Sequence, residues 1–145
     1  MTEKLILGSA VLVLMVVVQV CAVVTLVRFL HRQDRLGRID SSFGYSVRAL
    51  AGTMLILFIG HLFQVGVWAA LFRWGGAFPD FETAFYHSTV NFTSLGYGDI
   101  VMPEEWRLLG ALEAAGGILM FGLSTGLGFA VINSMFRPKP DGDKK

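Results

Sequence analysis

The residues of this chain best suited to chemistry are Thr93, Ser94, Leu95, Gly96, Tyr97, Gly98 and Asp99. Their chemistry is that of backbone oxygen rather than of side chains. Glycine accepts positive φ without steric cost, so a Gly-aromatic-Gly run can turn successive carbonyl oxygens the same way. Rings of such carbonyls, one strand per subunit, replace the hydration shell of a cation such as potassium. The hydroxyl of Ser94 adds one more oxygen layer at the inner end of Ser94–Gly98. The run is short, so the surrounding elements have to support it.

Composition sets the solvent. The 145 residues are 54% hydrophobic with a mean hydropathy of +0.60, too apolar for a soluble domain of this size. The net charge of +1 names no partner, and nothing points to nucleic acid. The lone Cys21 excludes an internal disulfide and, set in an apolar run, reads as a buried, inert thiol. No paired acid, base or nucleophile and no metal-ligand spacing is present, so neither an enzyme nor a cofactor is expected. The run from Leu5 to Val27 is too long for a signal-peptide core and lacks an A-x-A site, and Val18-Gln19-Val20 before Cys21 makes a poor lipoprotein signal. A retained transmembrane helix is expected.

Three segments are long enough to cross the hydrocarbon core, which needs roughly 20 apolar residues. The expected architecture is an all-α membrane protein: an N-terminal helix within 1–30, a basic linker over 31–46, a second span over 47–72 and a third over 107–136. A short tail, 137–145, leaves no regulatory domain to be expected. Between the second and third spans, 80–93 is helix-like but too short to cross. Pro79, Asp80 and Glu82 supply a start with a cap and acids at the positive dipole end. A short helix followed by Gly-rich extended chain at 94–99 has the form of a re-entrant loop.

Arg28, Arg32, Arg35, Arg38 and Arg48 in or beside the linker, with Arg137, Lys139, Lys144 and Lys145 in the tail, put both on the cytoplasmic side of a plasma (inner) membrane. The N-terminus is then outside, and Asp80, Glu82, Asp99, Glu104 and Glu105 form an acidic outer mouth. Trp68, Trp74 and Trp106 fall near the outer interface, where an aromatic belt belongs.

The stretch from Phe81 to Val101, FETAFYHSTVNFTSLGYGDIV, followed by Pro103 and a Gly-rich helix, resembles the tetrameric potassium-channel pore-loop family of the two-helix type. The resemblance covers about the last two-thirds of the chain and leaves one additional N-terminal helix, expected on the perimeter. It implies an outer helix (47–72), a pore helix (80–93), a selectivity filter of Ser94, Leu95, Gly96, Tyr97 and Gly98 binding K+, and an inner helix (107–136). Gly96-Tyr97-Gly98-Asp99 matches the family's signature residue by residue. Ser94 replaces the usual Thr and keeps the hydroxyl, whereas Leu95 replaces the usual Val or Ile, and its γ-branching packs differently behind a filter. One loop lines a quarter of a pore, so a homotetramer is implied. The resemblance also suggests a gating hinge at Gly116, Gly117 or Gly122, although small residues for helix packing account for the same glycines.

Support for the filter is expected from Thr93, Asp99 and Glu113. A carboxylate inside the third helix is costly; Glu113 is either a proton-sensitive strut or a structural carboxyl partnered by a hydroxyl or by His87. His61 and Gln64, at neighbouring helical positions, form either a pH sensor or an interhelical hydrogen bond. Candidate pH-sensing residues are therefore His61, His87 and Glu113, while His31 is expected in a solvated loop. Thr125, Ala130 and Asn133 are candidates to face the inner pore. Leu36, Ile39 and Phe43 fit a short interfacial helix touching anionic lipid headgroups, or a loop that merely sets topology. The reading is a potassium-selective channel that conducts passively. The alternatives are a weakly selective cation channel and a non-conducting auxiliary subunit.

Overall fold

Proline is absent from the long apolar stretches and falls only at Pro79, Pro103 and in the tail, so nothing breaks those stretches as helices. The computed structural model describes residues 2–35 and 43–135. They form α1 (Thr2–Arg35), α2 (Phe43–Trp74), α3 (Phe81–Phe92) and α4 (Arg107–Met135), with a single 3-10 turn, Glu104–Trp106, leading into α4. Three stretches are long and apolar enough to cross a membrane: Thr2–Arg32, Ser46–Trp74 and Glu104–Ser134. α3, with 12 residues, is not. His31 lies within α1 rather than in a loop, because neither glycine nor proline interrupts the helix before Gly37. Most of the expected interfacial helix lies outside the described residues.

α1 and α4 run parallel, and both oppose α2. Along the first seam Gly8 faces Leu109 and Leu112, and Gly116 faces Leu12; along α1–α2, Gly52 faces Phe29 and Gly60 faces Ala22. Small residues at these crossings let backbones approach without a hydrophobic drive between lipid-solvated helices. The core centres on Phe72, whose ring meets those of Trp68, Phe78, His87 and Trp106. Trp68 is fully buried, and so is not a belt residue. It shares a helical face with Val65, Ala69 and Phe72, turned inward. Cys21 is exposed, on an α1 face with Val17, Val20 and Val24 that no other helix of the chain covers.

One polar cluster ties the three long helices together midway. Gln19 of α1, His61 and Gln64 of α2 and Ser124 of α4 are all buried and mutually hydrogen-bonded. Near one end of the bundle, Lys4 donates to the Glu105 carbonyl and sits 4.8 Å above the Trp106 ring.

α4 crosses the end of α3 so closely that a Cβ on Gly117 would lie 1.9 Å from the Phe92 carbonyl oxygen. Backbone cannot yield as a flexible side chain can. Gly117→Ala is therefore expected to destabilise the protein by about 3 kcal/mol or more. Gly122→Ala, with nothing within 4 Å, should be neutral or stabilising by up to about 1 kcal/mol through helix propensity. Thermal unfolding of the two variants in detergent checks the contrast.

Candidate functional site

Asp80 begins the site. Its carboxylate accepts from the Thr83 N–H at 2.7 Å and from the Thr83 hydroxyl at 2.9 Å, which caps α3 and holds the Asp80 pKa below its ordinary value. The other end of α3 determines the backbone that follows. Ser94 N–H donates to Asn91 O and Leu95 N–H to Val90 O, both at 2.9 Å, with Gly96 N–H also directed to Val90 O at 3.4 Å. This is the Schellman arrangement, with the left-handed residue at the position after the cap Thr93. α2 ends the same way at Gly76, but in α3 that residue is Ser94, with φ +59°. A non-glycine residue there costs roughly 1–2 kcal/mol.

The winding fixes where the oxygens point. All peptide bonds among the described residues are trans, and in a trans peptide each N–H opposes the preceding carbonyl. Because the N–H groups of Ser94, Leu95 and Gly96 turn back to α3, the carbonyls of Thr93, Ser94 and Leu95 point away from it. Positive φ recurs at every second residue, Ser94, Gly96 (+61°) and Gly98 (+74°), with Leu95 and Tyr97 between. The Thr93 hydroxyl is turned back onto the Thr89 carbonyl at 2.7 Å.

Two braces hold this run. Tyr86 donates its hydroxyl to Asp99 at 2.6 Å, which lowers the Asp99 pKa and raises that of Tyr86; Asp99 also accepts from the Ile100 N–H at 3.0 Å. Deeper in, the Asn91 amide donates to the Gly110 carbonyl at 2.8 Å and to Glu113 Oε2 at 2.6 Å. Glu113 is fully buried; its Oε1 and the hydroxyl of Ser88 have no hydrogen-bond partner. Its partner is thus Asn91 and not His87. The His87 ring lies against Phe72 and Phe78, with Nδ1 unpartnered, and burial outweighs the nearby Asp99 charge to push its pKa below 6.5. A cavity of about 250 Å³ behind the run is lined by Tyr86, His87, Asn91, Asp99, Met102 and Arg107, among others.

The remaining candidates are dispersed. Gly116 meets α1 at Leu12, Gly117 meets α3, and Gly122 faces open space. His61 belongs to the polar cluster between α1, α2 and α4, so His61, His87 and Glu113 do not form one group. Thr125, Ala130 and Asn133 are exposed on α4. Sequence reasoning missed Tyr86, Asn91, Gln19 and Ser124. A glutamine in the middle of an apolar span was a signal for Gln19, by the logic already applied to Gln64. Nothing marked Tyr86 or Asn91.

Three spanning-length helices, with a short capped helix and a carbonyl-presenting run between the second and third, define an all-helical membrane protein. The sequence model of a family described as "Ion channel" matches residues 49–133, more than half of the chain. The chain belongs to this ion channel family. α1 lies outside the matched stretch. No curated protein and no solved structure matches the chain.

Asn91→Leu would strand the buried Glu113 carboxyl and should cost about 1–3 kcal/mol. Glu113→Gln keeps an acceptor for Asn91 and should cost less, as denaturant unfolding in detergent would register. The depressed His87 pKa gives a stability contribution that is whole above pH about 6.5. That contribution declines as the pH falls through the lower folded-state pKa, because the unfolded chain binds the proton first. Melting temperatures from pH 7.5 down to 5 should fall more in the wild-type protein than in His87→Phe.

Proposed function

We propose that the chain forms a potassium-selective channel: a homotetramer in which α3 is the pore helix of a re-entrant loop. The run Ser94–Gly98 is its filter, α2 the outer helix and α4 the inner helix. One observation carries this reading: left-handed backbone alternates at Ser94, Gly96 and Gly98 immediately after a helix whose end turns the carbonyls outward. Fourfold repetition of that strand makes the oxygen rings that replace a hydration shell, and the negative ends of four α3 helices favour a cation between them. The exposure of Leu95 (54%) and Tyr97 (69%) fits burial against neighbouring copies.

In this reading conduction is multi-ion and passive, K+ is the permeant ion and no cofactor takes part. The basic residues support an N-terminus outside and a C-terminus in the cytoplasm of the plasma (inner) membrane, with anionic lipid headgroups at the Arg-rich linker. Glu113, through Asn91, and Asp99, through Tyr86, brace the filter. Gly122, unlike Gly116 and Gly117, has the free space a hinge needs. A weakly selective pore is the second reading, favoured by the γ-branched side chain of Leu95, which packs differently behind the filter from a β-branched one.

Liposomes holding only the purified chain, with potassium inside and sodium outside, test both. Barium-blocked, potassium-selective flux that Gly96→Ala abolishes without loss of the cross-linked tetramer is expected. Unaltered flux in Gly96→Ala would remove the filter assignment. A potassium-to-sodium ratio near one that Leu95→Val raises would establish the second reading.

A further inference from the structure

With a neutral His61, the polar cluster that joins the long helices closes in one hydrogen-bonding order. Gln64 Nε2 reaches the Met15 carbonyl at 3.2 Å, and only an amide N–H can serve a carbonyl, so the orientation of Gln64 is fixed. Its second N–H then goes to Gln19 Oε1 at 3.1 Å, which aims Gln19 Nε2 at the Ser124 hydroxyl, 2.9 Å away. Gln64 Oε1 faces His61 Nδ1 at 3.0 Å and must accept from it. His61 Nε2 in turn accepts from the Ser124 hydroxyl at 3.0 Å. The four side chains close a ring in which every bond runs the same way round. Gln19, Gln64, His61 and Ser124 are each more than nine-tenths buried. Such a ring is held as a unit, because an opened bond leaves a buried donor or acceptor without water.

Its position on α4 gives it a role. The first half of α4 is fastened to α3 by Asn91, at Gly110 and Glu113, and by the contact of Gly117 with Phe92. The last contact with α3 is at Phe121, whose ring meets that of Phe92, and farther along Gly128 lies against Met54 of α2. Gly122 and Gly126, on either side of Ser124, have open space where a side chain would be. Ser124 is the only side chain in this half that hydrogen-bonds to another helix among the described residues. The ring's α1 member comes from a helix outside the matched family stretch, and α1 is tied to the start of α4 as well, through Lys4 at Glu105 and Trp106.

We propose that α1 is a gating restraint: through Gln19 it clamps Ser124, so the second half of α4 swings about Gly122 only when the ring opens. Gln19 and Ser124 are positioning residues of this device and touch no ion. The proposal rests on the channel reading above, and its test separates the two.

Single-channel recording in planar bilayers gives the open fraction of wild type, Ser124→Ala, Gln19→Leu and the double variant, with Val17→Ala on the exposed face of α1 as control. Loss of the ring should raise the open fraction by at least about fivefold, the factor associated with one net hydrogen bond in one subunit, and by more where the four subunits open together. The double variant should do no more than either single one, with potassium-to-sodium selectivity and tetramer yield unchanged. Amide hydrogen exchange in detergent reads the same restraint without any flux. Ser124→Ala should speed exchange over 122–134 and leave 108–120 as it was. An open fraction that stays level or falls in a conducting protein overturns the proposal, as does exchange over 122–134 that ignores the substitution. Faster exchange in Ser124→Ala, together with a wild-type protein that carries no ion, supports the restraint and counts against the channel reading.

Discussion

Everything in this molecule that handles oxygen depends on how α3 ends. A helix terminus leaves carbonyls without partners, and here the next residues, Ser94 and Leu95, supply them with their own N–H groups. That local settlement has a geometric consequence: N–H groups turned inward force the carbonyls of Thr93 to Leu95 outward. Satisfying the helix and presenting the oxygens are one act of folding. The cost falls on Ser94, held at φ +59° where glycine would be unstrained. Serine at that position keeps a hydroxyl beside the outward carbonyls.

Such a strained turn persists only if its surroundings over-determine it. Asn91 ties the last turn of α3 to α4, Gly117 lets the α4 backbone lie against the Phe92 carbonyl, and Tyr86 holds Asp99 beyond the run. The three braces act in the last turn of α3, at its final residue and just beyond the run. Glycine at 117 thus serves contact rather than bending, whereas Gly122 and Gly126 lie beyond the braces, where α4 has space. Packing separates two uses of glycine that look identical in sequence.

What was legible in the sequence followed from local rules. Hydropathy and the absence of proline marked the three long helices, and Pro79-Asp80 with Glu82 marked the start of α3. Glycine at 96 and 98 announced positive φ. Ser94 did not, because its conformation is imposed by the helix end and not by its own preference. The partners of Glu113 and Ser124 were illegible for another reason: they depend on the rotational phase of one helix against another. His61 and Gln64, a turn apart on α2, were seen to be neighbours. Gln19, about forty residues away in sequence, was recognisable only as a polar residue in an apolar helix.

The same distinction explains why α1 reads as a mere addition in sequence yet is tied to both α2 and α4 within the chain. An extra span of valines and leucines reads as a lipid-facing addition, and much of its surface is that. Yet a glutamine in the middle of such a span requires a partner that lipid cannot supply. Gln19 finds its partners on both α2 and α4, so the helix must dock in one rotation and at one depth. The small contacts at Gly8 and Gly116 then become possible along the α1–α4 seam. A single polar residue therefore sets the register of a helix whose other side chains would pack almost anywhere. The helix outside the matched family stretch is thereby fixed to the helix on which conduction depends in the proposed reading.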